Sequence, residues 1–295
     1  MSVVTSEPAV FRSASAILAE SPWWDGDALY WCDITTGQLH VSPIDGPSDG
    51  SRDRVLRLPP PLASFQPRTA GAGFVAALGD RIVLVDNEGN LESVLASVEH
   101  AHAGIRFNEG KCDPYGRFVA GSMNLTSGLP DAAFYSFEAD GTVRVLLAGV
   151  GTANGLEWSL DLSTVYLTDT SVQTIYQAPY SEAGELGELS VFHAGAMHDG
   201  LAIDSEGFLW GAIYGGGRVV RYSPDGEEDL IVEVPAPNVT GIAFGGRDLS
   251  TLYIATAREN LDESSLEKFP LSGSIFAVET GVRGRPVRRF GANAP

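Results

Sequence analysis

The sequence predicts an all-β protein, a six-bladed β-propeller, and three observations support this fold class. The chain contains 34 glycines and 17 prolines, a composition typical of many short strands joined by tight turns. No segment of helical length repeats its apolar residues with a period of about 3.6. A strand–turn–strand pattern recurs at intervals of about 40–50 residues, which is the spacing of four-stranded propeller blades.

Six copies of this pattern follow one another along the chain. The clearest is Asn154-Gly155-Leu156-Glu157-Trp158, which is followed by a turn and a second apolar segment at residues 164–169. The copies begin near residues 20, 70, 108, 154, 199 and 240, and the second copy is the weakest. A third strand follows in each copy, and fourth strands are predicted at residues 143–147 and 230–234. The pattern predicts one domain over residues 1–295.

Two segments outside the copies complete this prediction. A closed ring needs a strand that joins its ends, so we expect residues 9–18 to pair with residues 287–290. The proline-rich segment Leu58-Pro59-Pro60-Pro61-Leu62 is expected to form a loop between the first two blades.

Charge and cysteine content exclude several classes of function. The net charge of −19 argues against nucleic acid and anionic membranes as partners. Cys32 and Cys112 are far apart in sequence and are expected to be buried and reduced. The sequence has neither a signal-peptide pattern nor the ~18 apolar residues of a membrane span. We therefore expect a cytoplasmic protein, a monomer or a weak homo-oligomer.

The first residues of the copies carry side-chain oxygens. In a propeller the innermost strands line a central channel, so copies in register place their first residues around one mouth of that channel. Carboxylate and amide oxygens suit Ca²⁺, Mg²⁺ or Mn²⁺, and they do not exclude Zn²⁺ or Fe²⁺. The predicted ring contains Glu20, a small residue near Ala70, Asn108, Asn154, Asp199 and Thr240.

A turn is the alternative interpretation of this pattern. Taken singly, Asn154-Gly155 and Asp199-Gly200 are common turn formers. Turn chemistry does not explain Glu20 ahead of a serine, however. Glu20 and Asp199 buried together would also repel each other unless a cation lay between them. The shared register therefore favours a site for one divalent metal ion.

Together these residues resemble the senescence-marker-protein/gluconolactonase family, also called regucalcin-like. The resemblance covers nearly the whole chain and is loosest in the second blade. The matching segments are Glu20-Ser21-Pro22-Trp23-Trp24, Arg106-Phe107-Asn108-Glu109-Gly110-Lys111-Cys112-Asp113, Asn154-Gly155-Leu156-Glu157-Trp158-Ser159, Asp199-Gly200-Leu201-Ala202-Ile203-Asp204 and Thr256-Ala257-Arg258.

The resemblance implies a function and a set of site residues. It places the metal on Glu20, Asn154 and Asp199, gives Asp199 the role of general base, and makes Arg106 and Asn108 contacts of a sugar lactone. The implied reaction is divalent-metal-dependent hydrolysis of an aldonolactone, such as gluconolactone or a pentonolactone, to the aldonic acid.

Some residues depart from the family pattern. Glu109 and Glu157 stand where the family often has aspartate. The loop at residues 124–130 lacks an acidic residue that some members carry near position 125 or 126, which leaves the particular lactone open.

Other interpretations stay open. One is a metal-dependent esterase or phosphotriesterase, and another is a calcium-binding regulatory propeller without turnover. Arg106 can also be an arginine in an ion pair. The pair His100 and His102 has no third ligand nearby in sequence and is expected to be structural.

Overall fold

The computed structural model describes residues 7–69, 73–126 and 129–292, whose strands form six four-stranded sheets. Sheets 1 to 5 each contain four strands that are consecutive in sequence. Sheets 1 and 2 consist of β2 (Ala19–Trp24), β3 (Ala28–Asp33), β4 (Gln38–Pro43) and β5 (Arg54–Arg57), and of β6 (Leu62–Pro67), β7 (Phe74–Leu78), β8 (Arg81–Val85) and β9 (Leu91–Ser97). Sheets 3 and 4 consist of β10 (Ile105–Cys112), β11 (Phe118–Asn124), β12 (Ala132–Phe137) and β13 (Val143–Val150), and of β14 (Ala153–Trp158), β15 (Thr164–Asp169), β16 (Thr174–Pro179) and β17 (Ser190–Ala194). Sheet 5 consists of β18 (His198–Ile203), β19 (Leu209–Ile213), β20 (Arg218–Tyr222) and β21 (Glu228–Glu233), and sheet 6 of β22 (Val239–Gly245), β23 (Thr251–Thr256), β24 (Ile275–Glu279) and β1 (Ala9–Arg12).

The sheets group into two compact units of three. Unit 1 comprises Met1–Arg57 and Asp199–Val287 and holds sheets 1, 5 and 6. Unit 2 comprises Leu58–His198 and Arg288–Pro295 and holds sheets 2, 3 and 4. Each unit has apolar cores of its own, with Trp31 and Trp210 fully buried in unit 1 and Trp158 fully buried in unit 2.

Burial decreases from the first strand of a sheet to the fourth. Every residue of β2, β6, β14 and β18 is buried, whereas most residues of β9 and β13 are exposed or only half-buried. A polar side chain on a first strand must therefore find its partners inside the protein. The first strands are thus the places where a polar residue indicates function.

The N-terminal strand completes sheet 6, but its partner differs from the one expected. β1 pairs antiparallel with β24, with Ala9 opposite Ala277, so the expected pairing with residues 287–290 is wrong. Phe290 instead forms a bridge with Arg68 within unit 2. β24 was predicted as a third strand, and its free edge is the one that β1 covers.

The second copy also begins at another strand. Its first strand is β6, so the expected start near Ala70 is wrong, and Ala70 itself lies outside the described residues. The predicted opening strand of this copy is β7, the second strand of sheet 2. β6 follows the proline-rich loop directly. It does not begin with a polar residue followed by glycine, as other copies do, and the repeat pattern therefore does not reveal it.

The remaining elements agree with the expectations. The predicted fourth strands correspond to β13 and β21. Cys32 and Cys112 are buried free thiols. Within the described ranges the single α-helix is α1 (Glu263–Lys268), and none of the helices there has the length and apolarity needed to cross a membrane.

Candidate functional site

The predicted site residues lie on first strands, and in the strands of Glu20, Asn108 and Asn154 the pairing is irregular. Glu20, Asn154 and Asp199 are each the second residue of their strand. An irregularity of this kind inserts an extra residue and redirects the side chains beside it, and such bulges are enriched near active sites. The register shifts lie between Glu20 and Trp23 in β2, between Phe107 and Gly110 in β10, between Ala153 and Leu156 in β14, and between Val239 and Ile242 in β22.

Unit 1 contains the two carboxylates, Glu20 and Asp199, and both residues are buried. Two glycines allow their strands to approach each other closely. A Cβ on Gly241 would stand 3.0 Å from Oε2 of Glu20, and a Cβ on Gly200 would stand 2.9 Å from the Cα of Gly241. The strands that carry the two acids, β2 and β18, therefore both lie against β22.

The pKa of the Tyr214 phenol is affected by the same pair of acids. Burial is the main reason that the pKa of its phenol is raised to about 12, and the negative charges of Asp199 and Glu20 are among the further causes. Its hydroxyl donates a hydrogen bond to the backbone oxygen of Glu259 and accepts one from Asn260. The charges of both acids of unit 1 thus contribute to the raised pKa of this one phenol.

Unit 2 contains Arg106, Asn108 and Asn154. The Nη1 of Arg106 donates to the backbone oxygen of Phe107 over 2.8 Å and to Oδ1 of Asn108 over 3.0 Å. The Nδ2 of Asn108 donates to Oδ1 of Asn154 over 2.7 Å. The Nδ2 of Asn154 donates to Oγ1 of Thr170 over 2.9 Å. The structure therefore brings these three predicted residues together in one hydrogen-bonded chain.

The chemistry of these donors fits a hard divalent cation. Glu20 and Asp199 supply two carboxylates, and the side-chain oxygen of Asn154 has a second lone pair besides the one that accepts from Asn108. Across the ranges the structure describes, no three or more His, Cys, Asp and Glu side chains form a metal-binding group, so a further ligand would be another kind of oxygen, such as the amide oxygen of Asn154. The acids belong to unit 1 and Asn154 to unit 2, and their joint binding of one ion stays a prediction.

Thr240 has a structural role, and Glu109 and Glu157 lie close to each other on neighbouring first strands. The hydroxyl of Thr240 donates to the backbone oxygen of Ala19, so this member of the predicted ring holds β22 against β2. Burial raises the pKa of Glu109, and the nearby charge of Glu157 raises it further, while Lys111 and the Gly110 N–H oppose the rise. Lys111 donates to Glu157 over 3.1 Å, so these residues form a partly buried ion-pair group.

The loops of sheet 3 contain a polar cluster that the sequence did not predict. His102 was expected to be structural, and the structure shows that it contacts Asp131 and, through Asp131, Asn124. No motif marks these positions, because the cluster forms only when β10 and β11 pair.

Comparison with known proteins identifies the class. The family model described as SMP-30/Gluconolactonase/LRE-like region matches residues 18–258 of this chain. A 6-deoxy-6-sulfogluconolactonase from Pseudomonas putida is 38% identical over 91% of this chain and 93% of its own. A regucalcin from Danio rerio is also 38% identical, over 91% of this chain and 93% of its own. The crystal structure of a calcium-binding protein, regucalcin, from Agrobacterium tumefaciens matches with a TM-score of 0.88 and 28% identity over 97% of this chain and 98% of that one.

These findings confirm the predicted fold class, a six-bladed β-propeller, and they define a class of sugar lactone hydrolases. The chain belongs to the SMP-30/gluconolactonase/LRE-like family. The resemblance noted in the sequence is thereby confirmed.

Proposed function

We propose that this lactonase hydrolyses a sugar lactone with the help of one divalent metal ion. The observation that carries the proposal is the pair of buried carboxylates, Glu20 and Asp199, on first strands that glycines allow to lie close against β22. Two carboxylates that are buried on strands lying against the same neighbour, β22, would repel each other, which favours a cation between them. The substrate is an aldonolactone, such as gluconolactone or a pentonolactone, and the product is the aldonic acid.

Glu20, Asp199 and Asn154 are the residues that would hold the ion. Such an ion polarises an ester carbonyl and lowers the pKa of water. Asp199 accepts the proton of the water that attacks the lactone carbonyl, because a carboxylate within hydrogen-bond reach is a suitable general base. The identity of the ion is open among Ca²⁺, Zn²⁺, Mn²⁺, Mg²⁺ and Fe²⁺.

Arg106 and Asn108 are the residues proposed to bind the sugar. The contacts of Arg106 with Phe107 and Asn108 hold its guanidinium in one orientation. A guanidinium held in this way donates to ring hydroxyls or stabilises the negative charge that develops on the carbonyl oxygen. The names of relatives such as the 6-deoxy-6-sulfogluconolactonase support a sugar lactone as the substrate.

A panel of sugar lactones, assayed with and without EDTA and with each cation restored singly, tests the proposal. We expect turnover that EDTA abolishes and one or more cations restore. Asp199→Ala should lower kcat by about 100-fold to 10,000-fold, the usual contribution of a general base. Asp225→Ala, at an exposed turn position between β20 and β21, is the matched control and should keep the wild-type rate. Equal rates for wild type and Asp199→Ala would refute the mechanism.

A calcium-binding protein without turnover is the second candidate, because the structural relative from A. tumefaciens is described as calcium-binding. It predicts Ca²⁺ binding that depends on Glu20 and Asp199, without hydrolysis of any lactone. Paraoxon and a phenyl acetate added to the same panel test the third candidate, an esterase or phosphotriesterase. Turnover of these esters without turnover of lactones would favour that candidate.

A further inference from the structure

A polar cluster fixes the loop that leads into β10. The Nδ2 of Asn124 donates to Oδ1 of Asp131 over 2.7 Å, and the ring Nε2 of His102 lies 3.1 Å from Oδ2 of the same carboxylate. Oδ1 of Asn124 accepts from the backbone N–H and the hydroxyl of Thr126. We call His102, Asn124 and Asp131 the rim cluster. Its three residues join the loop before β10, the end of β11 and the beginning of β12.

The hydrogen bonds of the rim cluster determine which ring nitrogen of His102 carries the proton. The backbone N–H of Gly104 donates to Nδ1 over 3.0 Å, so Nδ1 is an acceptor without a hydrogen. Nε2 then carries the hydrogen and donates it to Asp131, which can only accept. The amide of Asn124 is fixed by the same argument, since only its NH₂ group can face the carboxylate. The Nδ2 of Asn124 also lies 3.4 Å from Nε2 of His102, and with this tautomer both nitrogens are donors that share Asp131 as their acceptor.

The rim cluster is coupled to Arg106 through the backbone. The carbonyl of His102 accepts the N–H of Ile105, and the carbonyl of Gly104 accepts the N–H of Leu125. Ile105 lies opposite Asn124 in the pairing of β10 with β11, and Arg106 lies opposite Met123, one position further along. The cluster therefore fixes the residues from which the Arg106 side chain extends. Arg106 is only half-buried, so its position depends on this backbone as well as on Asn108.

We propose that His102, Asn124 and Asp131 are positioning residues that hold Arg106 in its substrate-binding place. This role rests on the proposed function, because Arg106 is there assigned to the sugar. None of the three needs to contact the reacting atoms. Their effect appears in the binding of substrate, where a small displacement of a hydrogen-bonding arginine is costly.

An exchange of the amide and the carboxylate tests the role. Asp131→Asn leaves two donors, from His102 and Asn124, for a single side-chain oxygen, and Asn124→Asp places two carboxylates against each other. The double variant Asn124→Asp/Asp131→Asn restores every hydrogen bond, because the new carboxylate still accepts from Thr126 and the new amide oxygen accepts from His102. We expect each single variant to raise KM about tenfold with little change in kcat, and the double variant to return KM to within about threefold of wild type.

The matched control is the same exchange elsewhere in unit 2. Asn90 Nδ2 donates to Asp86 Oδ2 over 2.9 Å at the exposed turn between β8 and β9. Asp86→Asn and Asn90→Asp should leave KM unchanged. Unchanged KM in the rim-cluster single variants, or no recovery in the double variant, would refute the positioning role. A lower melting temperature with unchanged KM would show that the cluster is only structural, which also refutes it.

A readout without substrate separates this inference from the proposed function. Nitrogen-15 NMR of the His102 ring should show a protonated Nε2 and an unprotonated Nδ1, and Asp131→Ala should weaken that preference, because only the Gly104 N–H then favours it. The opposite tautomer in the wild type would refute the hydrogen-bond assignment of the cluster. The expected tautomer without turnover of any lactone would instead refute the proposed function, and the substrate-positioning role with it.

Discussion

Asn108 donates a side-chain amide hydrogen to Asn154, and its Nδ2 lies 2.7 Å from Oδ1 of Asn154. A residue assigned to the substrate thus orients a residue assigned to the metal. Because Arg106 donates to Asn108 in turn, one hydrogen-bonded chain links the arginine that is proposed to bind the sugar to the proposed amide ligand. Binding of metal and binding of substrate are therefore expected to depend on each other.

Asn108→Ala should weaken metal binding even though Asn108 is not assigned as a ligand. Removing a partner that orients a ligand typically lowers metal affinity by about 10-fold to 100-fold. Isothermal titration with Ca²⁺ and Mn²⁺ measures the effect. Asn90→Ala, which removes an exposed amide from the turn after β8, serves as the control and should bind like wild type. Wild-type affinity in Asn108→Ala would show that Asn154 needs no orientation.

Gly241→Ala should impair activity more than stability alone explains. The new methyl group would stand 2.5 Å from Cδ of Pro22 and 3.0 Å from Oε2 of Glu20, so the acid has to move. We expect metal affinity to fall about tenfold or more, because disturbing the residues that orient a metal ligand has an effect of that size.

Gly187→Ala is the matched control for this substitution. Its Cβ would also meet a proline, with Cβ of Pro179 at 2.9 Å, but in unit 2, and its nearest neighbours include no site residue. It should lower the melting temperature and leave metal affinity unchanged. Equal losses of metal affinity in the two variants would contradict the role of Gly241 as a spacer beside Glu20.

Arg12 should contribute strongly to the stability of unit 1. Its side chain is 2% exposed, and its Nε lies 2.8 Å from Oδ1 of Asp53, which is itself 4% exposed. Arg12→Ala would leave a buried carboxylate without its partner, so we expect a loss of about 3–5 kcal/mol in the free energy of unfolding. Arg52→Ala breaks an exposed pair with Asp45 and should cost at most about 1 kcal/mol. Urea unfolding measures both, and similar losses would contradict the assignment.

His40 should make the protein less stable in mild acid. Its ring stacks on Trp31 with the centroids 3.9 Å apart. Burial, partly opposed by the charges of Asp53 and Asp33, lowers its pKa from the ordinary histidine value of 6.5. The unfolded chain therefore binds a proton more readily than the folded chain, and stability decreases as pH falls through 6.5 toward the lowered pKa.

The slope of stability against pH isolates this contribution of His40. Urea midpoints at pH 7 and pH 5 should differ less in His40→Gln than in wild type, although the variant is less stable at both values. An unchanged difference between the two midpoints would mean that His40 does not titrate in this range. Measuring a difference removes the cost of the lost ring stacking, which is the same at both pH values.

The sequence predicted the blades because local chemistry defines them. Asp-Gly turns such as those ending in Gly141 and Gly226 adopt the positive φ that only glycine tolerates well, so the hairpins are visible in the sequence. The same local signal failed for β6, where a proline-rich loop runs directly into a strand. It also failed for β1, because the choice between residues 275–279 and 287–290 depends on the edge that sheet 6 leaves open.

The candidate site was predictable in its residues but not in its supports. Glu20, Asn154 and Asp199 share a phase in the repeat, and that phase is visible in the sequence. The register shifts beside them and the spacing role of Gly241 are properties of paired strands. The contacts of Asp131 with Asn124 and His102 likewise join positions that no periodicity connects.

The pairing of Ala9 with Ala277 has a consequence for the way the protein is made. β1 is synthesised among the first segments, yet the strand it pairs with is synthesised among the last. A growing chain on the ribosome therefore carries the β1 segment without β24 while all the strands of sheets 1 to 5 are made. Unpaired strand edges are prone to aggregate, so the interval before β24 emerges is the period in which chaperones have most to protect.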